Sequence, residues 1–445
     1  MPQEPAHAPR PSFAEMTAAF ARIGVLSFGG PAGQIALMHR VLVEEKRWVR
    51  EDAFLHALNF CMALPGPEAM QLAAYCGWLL YGVRGGVTAG LLFVAPGFLV
   101  IAGLSVFYAF RQDAPAVEGL FFGLKCAVLA IVAQALVRLA PRAAPDGPMA
   151  ALAVVAFGAL FAFNAPFPAV IVAAAAAGFV GARARPGWAA ATPPPVAALP
   201  PLRGAQAARR ALRTLLVWGA IWGAPVALLA ALYGQGTFLQ IAAFFSKMAV
   251  VTFGGAYAVL TYVAQQAVVD LGWLRPGEML DGLAMAETTP GPLILVLSYV
   301  GFLAAFRAPP EGMSALTSGL IGASLTAWVT FTPSFLWIFL GAPYVERMRA
   351  NPALAGALRA IAAAVVGVIA NLSVFLALHV LFGRVDLFVW GPVRLAAPDW
   401  TSFDPRAAAL AGAAVFGVFV ARLGVAPLLV LAGAAGVALV GWGGG

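Results

Sequence analysis

Long apolar runs recur from one end of the chain to the other, each closed by a short cluster of arginine, proline or acidic residues. Such runs are long enough to cross a bilayer as helices. The period-two alternation of a membrane β-barrel is absent. The pattern predicts an all-α polytopic membrane protein with about thirteen membrane segments. They fall at 18–43, 53–82, 86–110, 118–140, 147–162, 165–182, 212–234, 239–267, 278–306, 314–341, 355–382, 405–421 and 424–441. The expected organisation is a tail at 1–17, a first unit at 18–182, a linker at 183–211, a linking membrane helix at 212–238 and a second unit at 239–445.

The linker region, "GARARPGWAAATPPPVAALPPLRGAQAARRALR", is rich in proline and alanine and carries six arginines and no acid. Arginine excess marks the cytoplasmic side. With the N-terminus inside, Arg84, Arg138, Arg142, Arg347, Arg349 and Arg422 also fall inside, and the C-terminus falls outside, in the periplasm of a bacterial inner membrane. The bias is weakest at 44–52, where acids and bases cancel.

The two units repeat one another. "FARIGVLSFGG" at 20–30 aligns with "FSKMAVVTFGG" at 245–255, an offset of 225. Without a gap, the same offset places Trp48 on Trp273 and Pro65-Gly66-Pro67 on Pro290-Gly291-Pro292. Thirteen of 48 positions are identical, against roughly three or four expected from composition. Further on, "APGFL" (95–99) matches "TPSFL" (332–336), and Leu124-Lys125 matches Leu358-Arg359. Seven predicted crossings separate the starts of the repeats. That number is odd, so the halves are expected to be inverted, a frequent plan of secondary transporters. If the Pro-Gly-Pro segments re-enter instead of crossing, the count changes in both halves.

Proline removes a backbone donor and clashes with the preceding turn. Two prolines around a glycine therefore divide a helix into halves, at Pro65, Gly66 and Pro67 and again at Thr289, Pro290, Gly291 and Pro292. Lipid does not tolerate the freed backbone groups, so each break must face protein or a water-filled cavity. The second half-helix presents unpaired N–H groups and a positive dipole end, an anion-binding element. A plain proline kink is the alternative; recurrence at a fixed offset favours the anion element. Ser27, Gly29 and Gly30, with Thr252, Gly254 and Gly255, add a second pair of backbone-exposing sites, for which close helix packing is the alternative.

Charge inside a membrane is costly, about 2.5–3.5 kcal/mol per residue on insertion scales. Lys125 and Arg359 occupy equivalent positions, as do Arg22 and Lys247. Lys247, Lys125 and Arg359 are candidate anion ligands, with snorkelling as the alternative. Glu68, in the first turn after Pro67, is a candidate proton carrier, with a carboxylate that simply suits the dipole as the alternative. Glu287 lies three residues before Pro290 in apolar surroundings, a candidate proton carrier; Met62 takes its place in the first repeat.

Overall, 62% of the 445 residues are hydrophobic, 10% are charged and the net charge is +8; mean hydropathy is +0.88. In a membrane protein this charge reports the orientation bias and no nucleic-acid partner. Cys61, Cys76 and Cys126 form no CxxC or Cys/His cluster, which argues against a metal site or disulfide framework, and no cofactor is expected.

At "SFGGPAGQIALMHR", "NFCMALPGPEAMQLAAYCGWLLYG", "MAVVTFGGAYAVLTYV" and "LAMAETTPGPLILVLSYVGFLAAF" the chain resembles the chromate ion transporter family, in its long, two-repeat bacterial form. The resemblance covers about residues 15–380. It implies chromate efflux from the cytoplasm, driven by the electrochemical gradient and giving chromate resistance. Some members carry an Asn-Ser-Thr run where this chain has Glu68-Ala69-Met70. The competing readings are a permease for sulfate or another oxyanion, a passive channel, and a membrane enzyme acting on lipid or quinone. The last lacks any cluster of facing His, Asp or Cys residues. The partners expected are the oxyanion and the bilayer; a homodimer is among the options for assembly.

Overall fold

The computed structural model describes residues 10–28, 30–62, 64–184, 188, 205–253, 256–275, 277–341 and 351–442. Most of the linker, and the three glycines Gly29, Gly254 and Gly255, lie outside them. The described chain is helical apart from one hairpin of strands. The first repeat contains α1 (Phe13–Leu26), α2 (Gly30–His39, extended by a π turn at Arg40–Glu45), α3 (Glu51–Cys61) and α4 (Glu68–Arg111). It closes with α5 (Pro115–Ala143), α6 (Gly147–Phe163) and α7 (Phe167–Ala184). Helix α8 (Ala205–Tyr233) leads to α9 (Thr237–Val251), α10 (Ala256–Gln265, with a π turn at Gln266–Asp270), α11 (Glu278–Thr288) and α12 (Val296–Arg307). Then come α13 (Ala315–Gly341), α14 (Pro352–Leu381), strands β1 (Val385–Trp390) and β2 (Val393–Pro398), α15 (Pro405–Phe419) and α16 (Val425–Trp442).

Local chemistry sets the ends. Ser12 and Glu15 form a reciprocal capping box at the start of α1, and these bonds hold the exposed Glu15 carboxyl below its ordinary pKa. Asp146, Asn351 and Asp404 cap α6, α14 and α15, each followed by proline in the first turn. That proline sits where a missing N–H costs nothing. Helix α4 is two helices joined at a kink, where Tyr81 and Gly82 leave helical angles and Gly82 takes φ +59°.

The segments 18–43, 53–82, 239–267 and 278–306 were expected as single crossings. Each is instead folded back on itself. Arg307 grips Glu278 with two hydrogen bonds of 2.6 and 2.8 Å across 29 residues; an uninterrupted helix would hold them about 43 Å apart. The rings of Phe244 and Tyr262 stack at 6.2 Å, joining α9 to α10. Phe60 and Tyr75 meet edge-on at 5.6 Å, joining α3 to the 68–81 part of α4. Arg22 of α1 lies 4.0 Å from Glu45 beyond α2. The chain turns back after Ser27–Phe28 and after Thr252–Phe253, and at the two Pro-Gly-Pro stretches. The physical reason is the one that predicted the breaks: the freed backbone ends turn the chain and leave each half only 10–15 residues long, too short to span.

Among the described residues, six helices are long and apolar enough to span a membrane: α4, α5, α7, α8, α13 and α14. Shorter apolar helices α6, α15 and α16 pack among them. Glycines set the closest approaches. A Cβ on Gly24 would lie 2.1 Å from the Leu92 carbonyl oxygen, and one on Gly123 would lie 1.9 Å from that of Ala432. Hence α1 can lie directly on α4, and α5 on α16.

Glu278 is buried and Arg307 half-buried, so removing one partner leaves an uncompensated charge. Replacing Glu278 by alanine is expected to destabilise the purified protein by about 3 kcal/mol, read as a lowered thermal midpoint. The exposed Arg50–Asp52 pair is the control: alanine at Asp52 should cost less than about 1 kcal/mol.

Candidate anion site at the crossed helix breaks

The two repeats clasp each other at their breaks. Gly66, inside the first Pro-Gly-Pro, donates its N–H to the carbonyl of Thr252 at 2.7 Å. Gly291, inside the second, donates to the carbonyl of Ser27 at 2.8 Å. Residues 27 and 252 are equivalent at the offset of 225, as are 66 and 291. Each Pro-Gly-Pro of one repeat is thus held by the end of the first helix of the other. Both glycines adopt positive φ, +120° and +90°, which a side chain strains.

A second pair of equivalents closes the clasp. Gly97 of α4 backs onto Pro290, where a Cβ would lie 2.1 Å from the carbonyl oxygen. Its counterpart Ser334 of α13 faces Gly66, with its Oγ 2.8 Å from where a Cβ would stand. Pro96 and Pro333, which precede them, occupy matching places inside α4 and α13.

Behind Pro67 and Pro292 new helices begin. The first closing bonds are from Gln71 to the Pro67 carbonyl at 3.0 Å and from Leu295 to the Pro292 carbonyl at 2.9 Å. The amides of Glu68, Ala69 and Met70, and those of Leu293 and Ile294, stand before these closures. They form the positive ends of helices deep inside the protein. Three nearby hydroxyls are already committed. Ser27 donates to Ile23 at 2.6 Å, Thr252 to Met248 at 2.5 Å and Thr289 to Ala286 at 3.0 Å. Backbone N–H groups, with the Ser334 hydroxyl beside Gly66, are what the breaks offer an anion.

Glu287 is buried, and Tyr257 donates its phenol to it at 2.6 Å. The pair joins α10 to α11 beside the second break. The first repeat has Ala32 and Met62 at these positions, so the acid is present once. Glu68 sits half-buried in the first turn after Pro67.

The candidate cations lie elsewhere. Lys125 pairs with Asp281 at 3.1 Å, and Tyr108 donates to the same carboxylate at 2.9 Å. Arg359 pairs with Asp146, the cap of α6. Each of these equivalent cations is met by an acid of the opposite repeat. Asp281 is nine residues before Pro290, about 13 Å along the chain, so Lys125 stands at the base of the hairpin and not at its tip. Lys247 is exposed on α9. Tyr257, Asp281 and Asp146 escaped the sequence reading. An acid within an apolar segment was the available signal for Asp281.

Paired breaks with positive helix ends, and the buried acid Glu287 beside the second, suit a small anion inside a membrane protein. The sequence profile of the family described as "Chromate transporter" matches residues 14–179 and 239–440, and the chain belongs to that family. It is 32% identical over 373 residues to a chromate transport protein of Pseudomonas aeruginosa, covering 83% of this chain and 82% of that one. It is 28% identical over 372 residues to a probable chromate transport protein of Synechococcus elongatus, covering 83% and 85%. An uncharacterized transporter of Methanocaldococcus jannaschii is 24% identical over 372 residues, covering 83% and 86%. No solved structure matches the chain.

Valine at Gly97 should push Pro290 out of place and weaken anion binding about tenfold or more, with membrane insertion unchanged. Glycine at Ser334, the residue of the other repeat, should be tolerated. Equilibrium binding of labelled chromate to purified protein checks both.

Proposed function

We propose that this chain exports chromate from the cytoplasm, driven by the electrochemical gradient, with Glu287 carrying the coupled proton. The reading rests first on the reciprocal bonds Gly66–Thr252 and Gly291–Ser27. They tie each anion-attracting helix end to the opposite repeat, so relative movement of the repeats would carry the bound anion's surroundings with it. Chromate is a tetrahedral dianion that accepts hydrogen bonds on every oxygen, which suits a cradle of N–H groups.

The hairpins supply a topology for this reading. Residues 83–111, α5, α6, α7, α8, α13, α14, α15 and α16 cross, and the four hairpins re-enter. Five crossings then separate the repeats, an odd number, so the repeats are inverted. The turn with Lys46, Arg47 and Arg50 falls inside with Arg84, Arg142 and the linker. Asp270, Glu278, Asp113, Glu118, Glu311 and Asp386 fall outside. This distribution obeys the positive-inside bias and removes the weak spot at 44–52. The contacts Lys125–Asp281 and Arg359–Asp146 support it, since each then joins groups near one membrane face. Cysteine at Lys46 should label from the same side as cysteine at Ala191, and cysteine at Arg275 from the side of Asp399. Labelling of positions 46 and 275 from one side would overturn the inversion.

Moving two negative charges out of an interior-negative cell is favoured by about 4.6 kcal/mol per 100 mV, from about 2.3 per charge. A proton travelling on Glu287 halves that and leaves the net drive outward. A protonated Glu287 does not repel the dianion; its deprotonation on the far side favours release. Glutamine at 287 should therefore keep chromate binding and the exchange of labelled for unlabelled chromate in vesicles. It should lose the response of transport to an imposed pH gradient. A variant that keeps this response would show that Glu287 is not the carrier. Sulfate, tested as competitor in the same vesicles, separates a chromate carrier from a general oxyanion permease.

A further inference from the structure

Two buried glutamines touch the breaks, and both come from the first repeat. Gln34 of α2 donates its Nε2 to the carbonyl of Gly291 at 2.6 Å, 257 residues away. It also lies 3.5 Å from the carbonyl of Ser27, the acceptor of the Gly291 amide. Gln71 donates its Nε2 to the carbonyl of Pro65 at 2.7 Å and lies 3.4 Å from Ser334 Oγ. Each Pro-Gly-Pro therefore hangs from one side-chain amide. The exposures of the two residues are 1% and 0%.

The other half of each amide has no such partner. The Oε1 atoms of Gln34 and Gln71 are buried without a hydrogen-bond partner among the described residues. An orphaned buried acceptor costs about 1–3 kcal/mol. The second repeat shows the cheaper solution, since Val259 and Val296 stand at the equivalent positions. Packing alone would favour an aliphatic residue at 34 and 71. What the glutamines add is the bond from Nε2 to the break carbonyl.

We propose that Gln34 and Gln71 are positioning residues of the anion site, an inference that rests on the function proposed above. A carbonyl inside the break can swing, and the chain that leads into the next helix turns with it. Tying the Gly291 and Pro65 carbonyls to fixed amides sets the direction in which the N–H groups after Pro292 and Pro67 point. The glutamines touch the cradle and not the anion. The two repeats divide the labour: the first supplies both amide ties, and the second supplies the acid Glu287 with Tyr257.

The repeat symmetry provides the test. Methionine matches glutamine in volume but cannot donate. Gln34→Met and Gln71→Met, in the purified full-length protein, are expected to weaken labelled-chromate binding about tenfold each, with the number of sites per chain unchanged. A glutamine at Val296 would stand to Pro290 as Gln71 stands to Pro65, so Val296→Gln should recover most of the affinity lost in Gln34→Met. If Gln34→Met does not fold, Gln34→Asn, whose donor stops one methylene short, gives the same comparison. Unchanged affinity in both single variants overturns the proposal. So does a fall in the number of sites at unchanged affinity, which is the mark of a purely structural residue. A wild-type chain that binds no chromate overturns the transport reading itself.

Discussion

Everything in this protein depends on how a broken backbone is satisfied where there is no water. An unpaired amide or carbonyl in hydrocarbon costs several kcal/mol, and the chain breaks its helices at four places. Two of these breaks carry prolines that cannot be healed by local rearrangement. The solution is mutual: Gly66 reaches Thr252, and Gly291 reaches Ser27. The same constraint fixes glycine at 66 and 291, small residues at 97 and 334, and the close parallel lie of α1 against α4 beyond its kink.

Much of this could be read in the sequence, because proline acts through local geometry. The fixed offset between Pro65–Pro67 and Pro290–Pro292 exposed the repeat and the breaks. What it could not show was the sense of the bend. A helix interrupted by Pro-Gly-Pro can continue or reverse, and contacts between its two halves make the choice. The Arg307–Glu278 bond and the Phe60–Tyr75 contact mark the reversal here. The weak charge bias at 44–52 fits the reversal, since the hairpin returns Lys46, Arg47 and Arg50 to the side from which α1 starts.

The cations show the other limit of sequence reading. Lys125 and Arg359 drew attention as intramembrane charges, and spacing could not say what they face. Asp281 and Asp146 meet them from the opposite repeat. An isolated cation and a paired one look alike in one dimension. Likewise Tyr257 carries no motif; it matters because α10 folds back and sets its phenol on Glu287.

The reciprocal clasp also has a consequence for how the chain is made. Gly66 leaves the ribosome about 186 residues before the carbonyl of Thr252 that will hold it. Until then the first repeat must wait with its tip unsatisfied, in an environment hostile to bare peptide groups. The tip of the second repeat finds its acceptor, Ser27, already in place. Biogenesis is thus asymmetric even though the finished core is nearly symmetric. The early half is the vulnerable one, and the late half completes both at once.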